Sequence, residues 1–140
     1  MAVPARLLVD AGPLIALFNR RDRWHTEARA FFGEFRGTLV TTWPVLAEAG
    51  HFIGRKVPDL LDLVAAGRIS IVETAGATPR IAALLRVYAD LPMDLADGTL
   101  VVAAELLGFA DVLTLDRHFH AYRVRGRMRF NVWSLSLEST

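Results

Sequence analysis

With 140 residues and a formal net charge of +1, the chain has the length of one domain. It can bury roughly 68–70% of its unfolded surface without staples, and its charge balance alone gives no nucleic-acid footprint. No apolar run reaches the roughly 18–20 residues of a membrane span, Met1 to Arg6 lacks the pattern of a secretory leader, and the absence of cysteine excludes disulfides and thiolate metal sites, which makes the cytoplasm the expected compartment.

The elements alternate along the chain. Arg6 to Asp10 reads as a buried strand, and Ala11-Gly12-Pro13 forms a turn whose proline opens a helix over Leu14 to Asn19. Apolar positions Trp24, Ala28, Phe31, Phe32 and Phe35 predict a helix over Trp24 to Phe35. A strand over Thr38 to Thr41 leads into Thr42-Trp43-Pro44, a threonine cap with proline in the first turn of a helix reaching about Gly54. Further elements are a helix over Asp59 to Ala66, a strand over Arg68 to Val72, a helix over Pro79 to Tyr88 and a buried helix over Asp94 to Leu107 stopped by Gly108. Strands over Val112 to Leu115 and Phe130 to Trp133 complete the pattern. This order predicts an α/β fold with a mostly parallel sheet of four or five strands covered on both faces.

Two of these apolar strands close on an aspartate, Asp10 and Asp116, although a carboxylate there serves no packing purpose. The carboxyl ends of strands in an open α/β sheet are where ligands bind, so both side chains are expected in one crevice if the first and fourth strands are neighbours. Glu48, among small apolar residues one turn after a strand, and Asp97, in the first turn of the buried helix, are candidates for the same crevice. Two unit charges about 4 Å apart repel by roughly 4 kcal/mol at an effective dielectric near 20. A hard divalent cation, Mg²⁺ or Mn²⁺, is the chemically suitable compensation for oxygen ligands alone. Each acid also has a local structural use. Asp10 can cap the helix that follows, Asp116 can begin the Asp116-Arg117-His118 turn, and Asp94 reads first as a helix cap and second as an auxiliary ligand.

Fifteen of the sixteen basic residues are arginine, which suits phosphate recognition and equally reflects arginine-rich codon usage. The stretch from Tyr122 to Phe130 alternates arginine with other residues, so a hairpin edge there could hold a nucleic-acid backbone, with Arg117, Arg123 and Arg125 as substrate-binding candidates. His118 and His120 lack a third nitrogen or sulfur ligand for zinc, and His25 and His51 read as ordinary helical residues. No P-loop or nucleophile elbow occurs.

The segments Leu7-Leu8-Val9-Asp10 through Phe18, Thr41-Thr42-Trp43-Pro44 through Glu48-Ala49, Leu91-Pro92-Met93-Asp94-Leu95-Ala96-Asp97-Gly98 through Val101, and Leu113-Thr114-Leu115-Asp116-Arg117-His118-Phe119 together resemble the PIN-domain ribonucleases, and specifically the VapC toxins of toxin–antitoxin modules. The resemblance covers nearly the whole chain. It implies a three-layer PIN-like sandwich over residues 1–140, Mg²⁺ or Mn²⁺ dependence, endonucleolytic cleavage of RNA, and an acidic site of Asp10, Glu48 (direct or through water), Asp97 and Asp116. It also implies a small antitoxin laid along a helix groove, for which Phe18, Trp24 and Phe52 are candidate contacts, and a homodimer is expected. The chain departs from many relatives at Gly98, where alanine is common and glycine would loosen the helix start by up to about 1 kcal/mol, and at Gly12, which offers no hydroxyl. Competing readings are a free-standing PIN nuclease, an aspartyl-phosphate enzyme with Asp10 as nucleophile, and a non-enzymatic module whose acids attract a basic partner. The aspartyl-phosphate reading lacks a second aspartate at position 12 and a lysine late in the sheet.

Overall fold

A computed structural model of the chain describes residues 3–139; Met1 and Ala2, part of the segment read for a leader, and Thr140 lie outside the described residues. The elements run β1 (Arg6–Val9), α1 (Ala11–Phe18), α2 (His25–Glu34), β2 (Thr38–Thr41), α3 (Trp43–Ile53), α4 (Val57–Ala65), β3 (Ile69–Ile71), α5 (Thr78–Val87), α6 (Leu95–Leu107), β4 (Asp111–Leu113), β5 (Arg123–Val124), β6 (Met128–Arg129) and β7 (Asn131–Trp133). Short 3₁₀ turns cover Gly54–Lys56, Ala75–Ala77 and Arg117–His120.

The main sheet has five strands in the order β3-β2-β1-β4-β7, and every pair in it is parallel. Leu7, Leu8 and Val9 are fully buried, as are Val112 and Leu113, which is why these strands read as unbroken apolar runs rather than alternating ones. The chain builds outward from β1 through β2 to β3, then returns to lay β4 on the other side of β1, pairing Leu8 with Val112 and Val9 with Leu113. The order of strands therefore reverses between β1 and β4, and a crevice opens beyond their carboxyl ends. Helix α1 packs on α2 and α3, α3 on α6, and α6 on α5, so the two helices carrying Glu48 and Asp97 are neighbours beside that crevice. Among the described residues no helix is long and apolar enough to cross a membrane.

Several boundaries differ from the sequence reading for local reasons. Helix α1 begins at Ala11 rather than Leu14 because the Asp10 carboxylate accepts the Ala11 N–H at 2.8 Å, and Pro13 then sits within the first turn, where its missing N–H costs nothing. Helix α4 begins at Val57 with Pro58 in its first turn. Strand β4 stops at Leu113, two residues before the expected end. Helix α6 ends where expected, because Gly108 adopts the left-handed conformation (φ 77°) and its N–H donates to the Ala104 carbonyl.

Gly98 also faces α5: a Cβ at this position would lie 3.3 Å from Ile81 Cγ2 and 3.5 Å from Leu85 Cδ2, so the glycine bears on the packing between the two helices as well as on the start of α6.

The β5–β6 hairpin is tied to α6 by Glu105, which accepts two hydrogen bonds from the Arg80 guanidinium, at 3.0 and 2.9 Å, and one from the Arg125 N–H at 2.7 Å. Burial opposes its charge, but the Arg80 hydrogen bonds and the Arg125 N–H hold the Glu105 carboxyl below its ordinary range. Glu105→Ala breaks both attachments; it is expected to cost about 1–3 kcal/mol, read as a lower midpoint in chemical denaturation with an unchanged slope.

Candidate active site

Asp10 follows the last residue of β1 and is 5% exposed. Its carboxylate is fully directed: one oxygen accepts the Ala11 N–H at 2.8 Å and the other accepts the Thr114 hydroxyl at 2.7 Å. Thr114 Oγ1 in turn accepts the Asp116 N–H at 2.9 Å. This single hydroxyl turns the chain after β4 so that Asp116, although three residues beyond the strand, comes back to the same crevice. Asp116 also starts the next 3₁₀ turn, accepting the His118 N–H at 2.9 Å, and His118 Nδ1 lies 3.3 Å from the same oxygen.

Asp97 reaches the crevice from the first turn of α6. Asp94 caps this helix: its carboxylate accepts the Asp97 N–H at 2.8 Å, and Asp97 Oδ2 accepts the Asp94 N–H at 3.2 Å, a reciprocal capping box. The buried Tyr122 hydroxyl donates to the same Asp97 oxygen at 3.3 Å. One oxygen of Asp97 is thereby held by protein.

These attachments bring one oxygen each of Asp10, Asp97 and Asp116 within 4.8 Å of one another. Glu48 lies on α3 beside them, half buried, close enough to Asp94 to share a hydrogen bond between carboxyl groups and within the fields of Asp10 and Asp116. Asp94 is itself exposed. Among the described residues no lysine or arginine pairs with any of these five acids; the ion pairs are Arg80 with Glu105 and His118 with Asp116.

Crowding without a counter-charge shows in the proton affinities. Burial is the main cause for Asp10, opposed by the Thr114 and Ala11 hydrogen bonds and assisted by the Asp116 field, and it lifts the carboxyl to about 6. Burial, then the charges of Asp10, Asp94 and Asp116, push Asp97 up to about 8 against the pull of the Asp94 N–H. Burial, the shared hydrogen bond with Asp94 and the neighbouring negative charges bring Glu48 to about 7. Burial and the charges of Asp97 and Asp116 likewise raise the Tyr122 phenol.

The donor set fits a hard divalent cation. It is all oxygen, with one oxygen from each of three acids within 4.8 Å of the others, and among the described residues no lysine or arginine offsets its negative charge, which suits the oxygen coordination of Mg²⁺. The expected adjacency of β1 and β4 is what makes this convergence possible.

Thr114 and Tyr122 were not singled out by sequence reasoning. A threonine near a strand end and a tyrosine after a turn are common, and only the register of β1 against β4 shows what they touch. Thr114→Val keeps the shape of the side chain and removes the hydroxyl that orients Asp10 and Asp116. Activity or metal affinity is expected to fall about 10- to 100-fold, measured by metal titration alongside any activity assay, with about 1–3 kcal/mol of stability lost through the unpartnered Asp10 oxygen.

Of the arginines considered for substrate, Arg117 is exposed immediately after Asp116. Arg123 donates to the carbonyls of His120 and Tyr122, both at 2.9 Å, and the Arg125 guanidinium donates to the Glu105 carbonyl at 3.0 Å. These two guanidinium groups help hold the hairpin, while Arg127 at its turn and Arg129 in β6, opposite Arg123, are exposed. Gly12 lies under Leu115, whose side chain would be 3.4 Å from a Cβ there.

No curated protein matches the chain. Among solved structures, the crystal structure of VapC20 from Mycobacterium tuberculosis, described as a Sarcin-Ricin loop cleaving toxin, superposes with a TM-score of 0.68 at 19% sequence identity, covering 82% of this chain and 93% of that one. The likeness is one of fold: a parallel sheet flanked by helices. The sequence profile of the PIN domain matches residues 7–124, a span that contains every acid of the crevice, and the chain therefore belongs to the PIN-domain family.

Proposed function

We propose that this protein is a metal-dependent endoribonuclease that hydrolyses RNA phosphodiester bonds, and the toxin member of a toxin–antitoxin pair. The observation that carries the reading is the meeting of Asp10, Asp97 and Asp116 oxygens within 4.8 Å at the point where the strand order reverses. In this reading those three side chains hold Mg²⁺ or Mn²⁺, with Glu48 direct or through water and Asp94 as cap and auxiliary acid. A bound divalent ion supplies a Lewis acid that acidifies water and neutralises charge on the scissile phosphate.

The protein's own groups do the rest. Thr114 and the Ala11 N–H orient the Asp10 carboxylate, and Tyr122 with the Asp94 N–H orients Asp97, so the ligand oxygens are directed by the protein before substrate arrives. Glu48, half buried beside the three acids, adds a carboxylate to the ligand set, direct or through water. Arg117, exposed next to Asp116, would meet a backbone phosphate. The similarity of fold to a toxin described as Sarcin-Ricin loop cleaving supports RNA as the substrate class.

A groove of about 820 Å³ between α2 and α4 supports the partner half of the proposal. Its floor includes Phe18, Phe32 and Leu39, and Arg20, Arg21, Arg29, Lys56 and Arg68 stand around it against the single acid Asp59. Such a groove suits the apolar face of a short acidic segment from an antitoxin. Of the other candidate contacts, Trp24 packs on the core with Arg23 over its ring, and Phe52, 62% exposed, lies edge-on to His51 and outside this groove.

The purified protein is expected to cut RNA with Mn²⁺ or Mg²⁺ and to stop when chelator is added. Growth arrest on expression, relieved by a short neighbouring reading frame, separates a toxin from a free-standing nuclease. Metal uptake without cleavage of any RNA would leave only the binding-module reading.

A further inference from the structure

A second, smaller cavity of about 220 Å³ lies against the starts of α3 and α6, across α6 from Asp97, and is not used by anything above. Trp43 and Pro44 of α3, Leu95 and Thr99 of α6, and Glu73 after β3 line it. Trp43 is the unusual member. As the first residue of α3 it stands 49% exposed, outside the core, and its indole N–H donates to Glu73 Oε1 at 3.2 Å. Leu95, 55% exposed, presents a second apolar surface at the same opening.

The cavity shares its supports with the acidic site. Thr42 and Thr99 hydroxyls are hydrogen-bonded at 2.7 Å and lock the starts of α3 and α6 together. Glu48 follows Trp43 along α3, and Leu95 and Thr99 bracket Asp97 on α6, on the flank turned away from it. The cavity is thus about one helix width, on the order of 10 Å, from the carboxylates. Its volume falls below the roughly 300–1,000 Å³ of sites for drug-sized ligands, so it accepts a single ring system and is too small for a peptide helix. An oriented, half-exposed indole with a carboxylate acceptor at its edge is the arrangement that stacks an unpaired base and accepts a hydrogen bond from its exocyclic amine.

The geometry points to a base-recognition subsite: the cavity between Trp43, Glu73 and Leu95 takes one unpaired nucleobase near the scissile phosphate, stacked on Trp43. Trp43 and Glu73 are specificity residues here and touch no reacting atom. The inference rests on the ribonuclease reading.

The test uses the full-length protein and an RNA oligonucleotide containing its mapped cleavage site, with single abasic substitutions placed in turn at each position around the cut. For the wild type, one position is expected to stand out, its abasic form slowing cleavage about tenfold or more. In Trp43→Ala that substitution should have no additional effect, and Trp43→Phe should retain part of it, the non-additivity expected of groups in contact. As a readout independent of turnover, the same oligonucleotide without divalent ions should quench indole emission in Asp97→Asn, and the quench should vanish when Trp43→Phe is added. An abasic profile in Trp43→Phe and Trp43→Ala identical to that of the wild type overturns the subsite and leaves the ribonuclease reading intact. Failure of the wild type to cut any RNA with Mn²⁺ overturns both. Should Trp43→Ala not fold, the Phe variant and the quenching experiment decide the question.

Discussion

Replacing Asp97 by asparagine is expected to reduce metal-dependent RNA cleavage by at least about a thousandfold, the equivalent of roughly 4 kcal/mol of lost charge stabilisation, while leaving the apo fold intact. The two effects separate because the carboxylate has two roles. As the third residue of α6 it accepts the Asp94 N–H, and an amide oxygen can still do that. As one of three acids within 4.8 Å it contributes the negative charge that a divalent ion needs, and an amide cannot. Removing that charge also relieves repulsion among Asp10, Asp94 and Asp116, so at pH 8–9 the apo variant should melt at or above the wild-type temperature. The same pattern is expected for Asp116→Asn. Asp10→Asn should lose activity equally but gain less stability, since its two oxygens accept both the Ala11 N–H and the Thr114 hydroxyl and the amide keeps only one acceptor. Cleavage rates with Mn²⁺ and thermal melts of the metal-free proteins test both halves. Retained cleavage in all three variants would remove the acids from the mechanism.

The second large effect is a stability that falls with rising pH in the metal-free protein and is restored by metal. Asp10, Glu48 and Asp97 are pushed up to about 6, 7 and 8 respectively in the folded chain, against ordinary carboxyl values near 4 in the unfolded one. Between those limits the folded state holds protons that the unfolded state has released. Its advantage is therefore full below about pH 4 and is lost as pH rises through the folded values, the sign required when the native state binds more protons. Glu48 is only half buried and contributes less. From pH 5.5 to 8.5 the apo melting temperature should drop on the order of 5–10 °C, the equivalent of about 2 kcal/mol in a chain of this size. Divalent ions favour the ionised carboxylates, so the stabilisation produced by saturating Mn²⁺ should grow over the same window. Glu105, held low by Arg80, acts in the opposite sense, and stability should decline again in strong acid. A flat apo profile from pH 5.5 to 8.5 would contradict the crowding of unpaired charge.

Much of this was legible from residue order. Leu7-Leu8-Val9 and Val112-Leu113 announce buried parallel strands because they are apolar without alternation, and an aspartate after each is conspicuous against that background. Asp94 with Asp97 reads as a helix start for the same reason that it forms one: each carboxylate satisfies the other's N–H. Less visible was how Asp116 returns to the crevice, since β4 ends at Leu113 and the return depends on Thr114, a contact across 104 positions of sequence. Tyr122 and Trp43 were hidden differently. Each looks like an ordinary aromatic in a sequence, and only packing distinguishes one buried against Asp97 from one left standing at a cavity mouth. The arginine row from Arg123 to Arg129 shows the converse, since its regular spacing suggested a uniform surface while Arg123 and Arg125 are engaged by carbonyls and by Glu105.

Anomalous diffraction from crystals grown or soaked with Mn²⁺ is the most direct test of the acidic centre. A peak bonded to Asp10, Asp97 and Asp116 oxygens at about 2.0–2.3 Å, lost in crystals of Asp97→Asn, is the expected result. Ordered wild-type crystals at pH 8 with no peak between these three carboxylates, or with manganese bound only elsewhere, would contradict it.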